Sequence, residues 1–228
     1  MAAAVYVFDA YGTLFDVGAA ARRAAEEPGG AGLAEAWEGL AATWRDKQLQ
    51  YTWLRAAYGA HTDFWQVTTD ALDWALAAHG LSDEEAIRAR LLQLYWELEA
   101  YPDAAAVLTG LKAKGAKTAI LSNGAPDMLR AAVSSAGIGP MLDAVLSAEQ
   151  VGVFKPHRAV YGLVGHHFGT PAGEVAFVSA NGWDAACATG HGFRTVWVNR
   201  RGEPADRLPW QPERTLPDLA GLPELVFP

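Results

Sequence analysis

Apolar positions change their period twice along this chain. The opening run Val5-Tyr6-Val7-Phe8 is continuous, β-branched and aromatic, the pattern of a strand buried on both faces. It stops at Asp9, and Gly12 soon follows, a residue suited to the dihedrals of a turn. From about residue 17 to 99 no strand pattern occurs. Ala34 to Tyr58 instead carries Trp37, Leu40, Ala41, Trp44, Leu49, Trp53, Leu54 and Ala57 at helical spacing. Thr62 to His79 repeats it with Phe64, Val67, Ala71, Leu72 and Trp74. Ser82-Asp83-Glu84-Glu85 reads as a helix start, a capping residue followed by acids, and that helix runs through Ile87, Leu91, Leu94 and Leu98.

Tyr101-Pro102 breaks this pattern, and strands and helices then alternate. Helices are expected at 104–114, 125–136, 158–168 and 184–189, and strands at 117–121, 143–146, 174–178 and 194–198. Gly115 ends the first of these helices, and Pro126 sits in the first turn of the second, where it is tolerated. Alternation of this kind gives a parallel sheet with helices on both faces. The chain therefore reads as an α/β core built from residues 1–16 and 100–228, interrupted by an all-helical insertion over 17–99. The Pro-rich tail from Glu203 is expected to wrap the surface and end in a short helix near Leu219 to Leu225.

Composition narrows the partners. The chain has 228 residues, 51% of them hydrophobic, so a packed core is expected and disorder is not. The formal net charge is -8 with no basic run, which argues against a nucleic-acid surface or an anionic membrane. No apolar segment approaches a membrane span. Met1-Ala2-Ala3-Ala4 lacks a basic flank and runs straight into the first strand, so no signal peptide is expected. The single cysteine, Cys187, excludes an intrachain disulfide, reads as a small buried helix residue, and suits a reducing cytoplasm.

The candidate chemistry lies at strand ends, where open parallel sheets place their ligands. Asp9 is a nucleophile, a metal ligand or a turn cap. Ser122-Asn123-Gly124, between a strand and a helix, is an anion site or an ordinary turn. Pro156 biases Lys155 toward extended backbone. Ser179-Ala180-Asn181-Gly182-Trp183-Asp184 is a dense polar group after an apolar run, in which Asp184 caps a helix, orients a water or binds a metal. His166-His167 do not read as a metal pair, because consecutive helix positions point about 100° apart. Most of the nine tryptophans read as packing in the helical region, and Arg22-Arg23 and Arg200-Arg201 as solvated ends.

Taken together, Asp9-x-Tyr11-Gly12-Thr13-Leu14, Ser122-Asn123-Gly124, Lys155-Pro156 and Ser179-x-Asn181-x-Trp183-Asp184 resemble the haloacid dehalogenase superfamily. Trp44-Arg45-Asp46-Lys47-Gln48-Leu49-Gln50-Tyr51 is similar to the cap-helix signature of its L-2-haloacid dehalogenases. The resemblance implies a Rossmann-like core with a helical cap and an attack by Asp9 on C2 of an (S)-2-haloalkanoate. The Asp9 ester is then hydrolysed to the (R)-2-hydroxy acid. It implies no cofactor and no metal, with Lys155 holding Asp9 ionised in place of magnesium. Arg45, Asn123 and Trp183 would cradle the halide, and Ser122 with the amides of Ala10 and Tyr11 would bind the carboxylate. Asp184, Thr13, Ser179 and Asn181 would place the water, with Tyr161 bonded into that group, and Tyr11, Leu49, Phe64 and Trp183 would form apolar walls. A homodimer packed through the cap helices is the further expectation.

Tyr11 separates this branch from its phosphatase relatives, which carry a second Asp there to protonate the leaving alkoxide. A tyrosine with a pKa of about 10 is a poor proton shuttle at neutral pH, whereas a departing halide needs no proton. A magnesium-dependent phosphomonoesterase and a catalytically idle binding protein of the same fold are the rival readings. One departure stands out. Asp46 occupies the place where many relatives of the family it resembles have Gln, either pairing with Arg45 or facing solvent.

Overall fold

A computed structural model describes residues 5–225; the expectation made for Met1–Ala4 lies outside them. The opening apolar run is strand β1 (Val5–Phe8), every residue of it buried. Strands β2 (Lys117–Ser122), β3 (Ala144–Ser147), β4 (Val175–Ser179), β5 (Arg194–Val198) and β6 (Arg214–Leu216) join it in one sheet of order β3-β2-β1-β4-β5-β6. All five pairings are parallel, with Phe8 level with Ile120 on one side and Val178 on the other. The chain turns to opposite sides after β1 and after β4, so β1 and β4 flank the switch point at which such sheets open a crevice.

Four helices follow β1 before the chain returns to the core near residue 100: α1 (Ala19–Glu26), α2 (Trp37–Tyr58), α3 (Phe64–Ala78) and α4 (Glu85–Trp96). No strand occurs among them. Helix α2 ends on Gly59 at φ 73°, and α3 starts at Asp63, whose side chain accepts from the Gln66 amide. The start expected at Ser82 is displaced: α4 begins three residues later, and its first turn has no side-chain cap. Helices α5 (Ala104–Ala113), α6 (Pro126–Ser135), α7 (Arg158–Phe168) and α8 (Gly182–His191) follow the expected alternation. Cys187 is on α8, half-buried and unpaired.

Two expectations about the end of the chain fail. The tail does not merely wrap the surface, because Arg214–Leu216 adds β6 beside β5. The helix expected near Leu219 to Leu225 is a three-residue 3-10 turn, Leu222–Glu224. Leu219 and Leu222 are fully buried, so two apolar anchors secure that segment without a helix.

The two chain segments joining the sheet to the helices run side by side. Phe15 bridges to Ala100, the Asp16 amide donates to the Glu99 carbonyl, and the Tyr101 amide donates to the Leu14 carbonyl. Arg200 clasps this crossing and is not the solvated end the sequence suggested. Its guanidinium donates to both oxygens of Asp103 at 3.0 Å and to the Thr13 carbonyl at 3.2 Å, and lies 3.9 Å from the Tyr101 ring centre. Arg22 and Arg23 are exposed, as expected. No helix among the described residues is long and apolar enough to cross a membrane.

Candidate active site

Asp9 sits one residue past β1, where the ladder ends and the chain turns through Gly12 at φ 88°. Its carboxylate is 6% exposed and every bond to it is directional. Lys155 Nζ donates to Oδ1 at 3.1 Å, while Thr13 Oγ1 at 3.1 Å and Asn181 Nδ2 at 2.8 Å donate to Oδ2. Thr13 Oγ1 accepts from the Ala180 amide at 2.8 Å, which leaves its proton for Asp9.

Lys155 is almost fully buried, and its ammonium bridges two carboxylates. The second is Asp184, whose Oδ2 lies 2.8 Å from Nζ. Burial alone works against the ammonium, but the Asp184 and Asp9 charges outweigh it and hold the Lys155 pKa above its ordinary value. Asp184 also accepts from Tyr161 Oη at 2.7 Å and Ser179 Oγ at 3.2 Å, and Ser179 Oγ in turn accepts from the Asn181 amide at 3.1 Å. Burial raises the Asp184 pKa despite the neighbouring ammonium, and burial also lifts Tyr161 well above its usual range. Tyr161 therefore stays a neutral donor.

A small cavity opens over this group, lined by Asp9, Tyr11, Arg45, Leu49, Phe64, Ser122, Asn123, Lys155, Asn181 and Trp183. Thr13, Ser179, Tyr161 and Asp184 lie behind that lining as its buried support. Ala10 is fully buried, and its amide and that of Tyr11 have no backbone acceptor among the described residues. Asn123 Oδ1 accepts from the Lys155 amide at 2.8 Å, so its Nδ2 remains as a donor. Ser122 Oγ accepts from the Gly124 amide at 3.0 Å, and its own proton is free to turn elsewhere.

The helical layer closes the cavity from above. Arg45, from α2, donates to the Tyr11 carbonyl at 3.3 Å. Asp46 is exposed, the solvent-facing one of the two placements the sequence allowed. Tyr11 stacks between Phe64 at 5.7 Å and Tyr95 at 5.6 Å, and Trp53 meets Trp183 edge to face at 5.3 Å. Burial places the Tyr11 pKa well above its ordinary value.

Every site residue read from the sequence falls in this cavity or directly behind it. Two participants escaped the sequence reading, Gln48 and Tyr95, which hold Arg45 and Tyr11 from within the helical layer. A buried amide on an otherwise amphipathic helix leaves no mark in the periodicity.

Comparison with known proteins places the geometry in a family. The haloacid dehalogenase-like hydrolase model matches residues 3–192. The chain is 42% identical to (S)-2-haloacid dehalogenase 1 of Pseudomonas sp. (strain CBS-3), covering 97% of this chain and 95% of that protein. It is 46% identical to the (S)-2-haloacid dehalogenase of Xanthobacter autotrophicus over 87% of this chain and 76% of the other. The solved structure of the L-2-haloacid dehalogenase from Xanthobacter autotrophicus with chloropropionic acid covalently bound superposes with a TM-score of 0.88 at 38% identity, covering 98% of each chain. The chain belongs to the haloacid dehalogenase-like hydrolases, in their L-2-haloacid dehalogenase branch.

Proposed function

We propose that this protein hydrolyses the carbon–halogen bond of short (S)-2-haloalkanoic acids, releasing halide and the (R)-2-hydroxy acid. The observation that carries the reading is the Lys155 ammonium between Asp9 and Asp184, with Tyr11 two residues beyond Asp9. A carboxylate paired with a fixed cation is a nucleophile, and no neighbouring acid is needed when the leaving group is a halide.

In the proposed sequence an Asp9 oxygen attacks C2 from the side opposite the halogen. The carbon–halogen bond breaks with its electron pair leaving on the halide, and C2 inverts. Holding the carboxylate beside the carbon replaces an encounter in water, an advantage that reaches effective molarities on the order of 10⁵ M. Arg45, Asn123 and Trp183 take the halide; Ser122 and the amides of Ala10 and Tyr11 take the substrate carboxylate. Leu49, Phe64, Tyr11 and Trp183 keep bulk water away. Esterification cancels the Asp9 charge, so Lys155 then pairs with Asp184 alone. Asp184, with Thr13, Ser179 and Asn181 aligning the water, takes a proton as hydroxyl adds to the Asp9 carboxyl carbon. The bond from the Asp9 carboxyl carbon to the substrate oxygen then breaks, and the proton held by Asp184 passes to the departing alkoxide, which leaves as the hydroxy acid, with Tyr161 anchoring Asp184 throughout. No cofactor or metal enters this scheme, because the position between the two carboxylates belongs to the ammonium. A cytoplasmic homodimer remains part of the proposal, on the strength of the lone unpaired cysteine and the exposed Trp53, Leu54, Tyr58 and Trp74 of α2 and α3.

The test is halide release from (S)- and (R)-2-chloropropionate with EDTA present, for the native chain and Asp9→Asn. Turnover of the (S) acid alone, lost in the variant, is expected. Equal use of both enantiomers, or loss of activity to EDTA, would defeat the reading. Single-turnover hydrolysis in heavy-oxygen water should leave label in the Asp9 side chain.

A further inference from the structure

Arg45 is the cation that the helical layer sends into the cavity. Its guanidinium has five N–H donors. Nη2 donates to the Tyr11 carbonyl at 3.3 Å, and Nη1 donates to Gln48 Oε1 at 2.7 Å. Gln48 lies almost one turn further along α2, is 1% exposed, and does not line the cavity.

A buried amide can rotate end for end with little change of shape, so its partners decide which atom faces Arg45. Thr68 Oγ1 gives its only proton to the Phe64 carbonyl at 2.7 Å, and toward Gln48 it can therefore only accept. Nε2 donates to it at 2.8 Å and places its other hydrogen on Tyr95 Oη at 3.0 Å. Both amide hydrogens are then engaged, and Oε1 faces the arginine. The reversed amide would present N–H groups to a cation and leave two oxygens, of Thr68 and Gln48, facing each other. Trp44 Nε1 reinforces the frame by donating to the Thr68 carbonyl at 2.9 Å. The chain of bonds thus fixes Arg45 through three helices: α2, α3 and α4.

We propose that Gln48 is a positioning residue for the halide step, held by Thr68 and Tyr95 so that the remaining Arg45 donors stay aimed at the departing halide. The inference rests on the dehalogenase reading and on Arg45 taking the halide. Donors oriented before the reaction spare the reorganisation that a mobile guanidinium would need as charge builds on the leaving atom. Among the described residues, Gln48 Oε1 is the hydrogen-bond partner of Nη1.

A double-mutant cycle tests it. Gln48→Met keeps length and volume but makes no hydrogen bond. With Arg45 present, kcat for (S)-2-chloropropionate should fall by about 10²-fold, the loss expected of a group misplaced by about an ångström. In an Arg45→Lys background the same substitution should add no more than about twofold, because the group it positions is gone. Equal fold-losses in both backgrounds would show an independent structural role and overturn the proposal. Should Gln48→Met fail to fold, Thr68→Val removes the acceptor that orients the amide, and Thr68→Ser should restore the native rate. A readout independent of turnover is the set of Arg45 Nη nitrogen signals in the NMR spectrum, assigned by their loss in Arg45→Lys. They should be resolved in the native chain and averaged in Gln48→Met; unchanged signals refute the proposal. A native chain that releases no halide refutes the dehalogenase reading, whereas equal losses in an active chain refute only the role of Gln48.

Discussion

Tyr11 shows how much one side chain decides. Its ring is sandwiched between Phe64 and Tyr95, and its hydroxyl is buried with no hydrogen-bond partner among the described residues. A desolvated, unpaired hydroxyl opposes stability, and replacing it by hydrogen in a well-packed ring site is neutral or better. Tyr11→Phe is therefore expected to raise the unfolding free energy by about 0–1 kcal/mol in urea titration. A clear loss would reveal a partner for the hydroxyl. The sequence disclosed Tyr11 because its place in a motif is informative, and likewise Asp9, Lys155 and Asp184. It assigned no role to Gln48, although that residue stands in the cap-helix signature, because its partners Thr68 and Tyr95 stand 20 and 47 positions away and become neighbours only when three helices pack.

Among elements, the turn from β2 into α6 packs tightly against the site. A Cβ built on Gly124 would lie 2.8 Å from Tyr11 Cε2 and 3.0 Å from Leu129 Cδ2, and the Gly124 carbonyl accepts from Ser147 Oγ at 2.6 Å. Neither ring nor backbone can yield. Gly124→Ala should cost about 1–3 kcal/mol, as overpacking does, and should lower halide release by displacing Tyr11. Unchanged thermal unfolding and turnover would contradict this. The same scale explains which elements were legible. β1, β2, β4 and β5 are central, buried on both faces, and hence written as apolar runs. β6 is a three-residue edge strand, Arg-Thr-Leu, whose pairing needs no apolar run and whose only neighbour is β5. The start of α4 misled for a related reason: a sequence that can cap a helix does so only if the backbone reaches it.

For the whole molecule, stability against acid depends on where carboxylates are engaged. Asp143, just before β3, receives Lys112 from α5 at 2.7 and 2.9 Å, the Thr118 amide at 2.8 Å and Lys117 at 3.4 Å. Burial by itself would raise its pKa, but these donors bring it down to about 2. A carboxyl whose folded pKa lies below its unfolded value adds stability at pH above that unfolded value, and the contribution disappears as pH falls through about 2. Asp143→Asn should therefore lower stability by about 1 kcal/mol at neutral pH, allowing for solvent screening. The gap to the native chain should close as acid is added, which thermal midpoints in a pH series would register. A gap that persisted to the acid end would mean that the lost contacts are not ionic. At this scale the sequence was most readable, since the two changes of period announce the order of core, helices and core. The sheet order stayed hidden, because strands of like composition do not state their neighbours.

The paired crossing beside β1 has a mechanical consequence. Asp9 and Asp16 are seven residues apart, and the chain between them both carries the proposed nucleophile and forms one of the two straps on which the helical layer hangs. Arg200 rivets that strap at the Thr13 carbonyl, and the Thr13 hydroxyl already donates to Asp9. Any displacement of the helices along that strap would therefore bear directly on the Asp9 carboxylate.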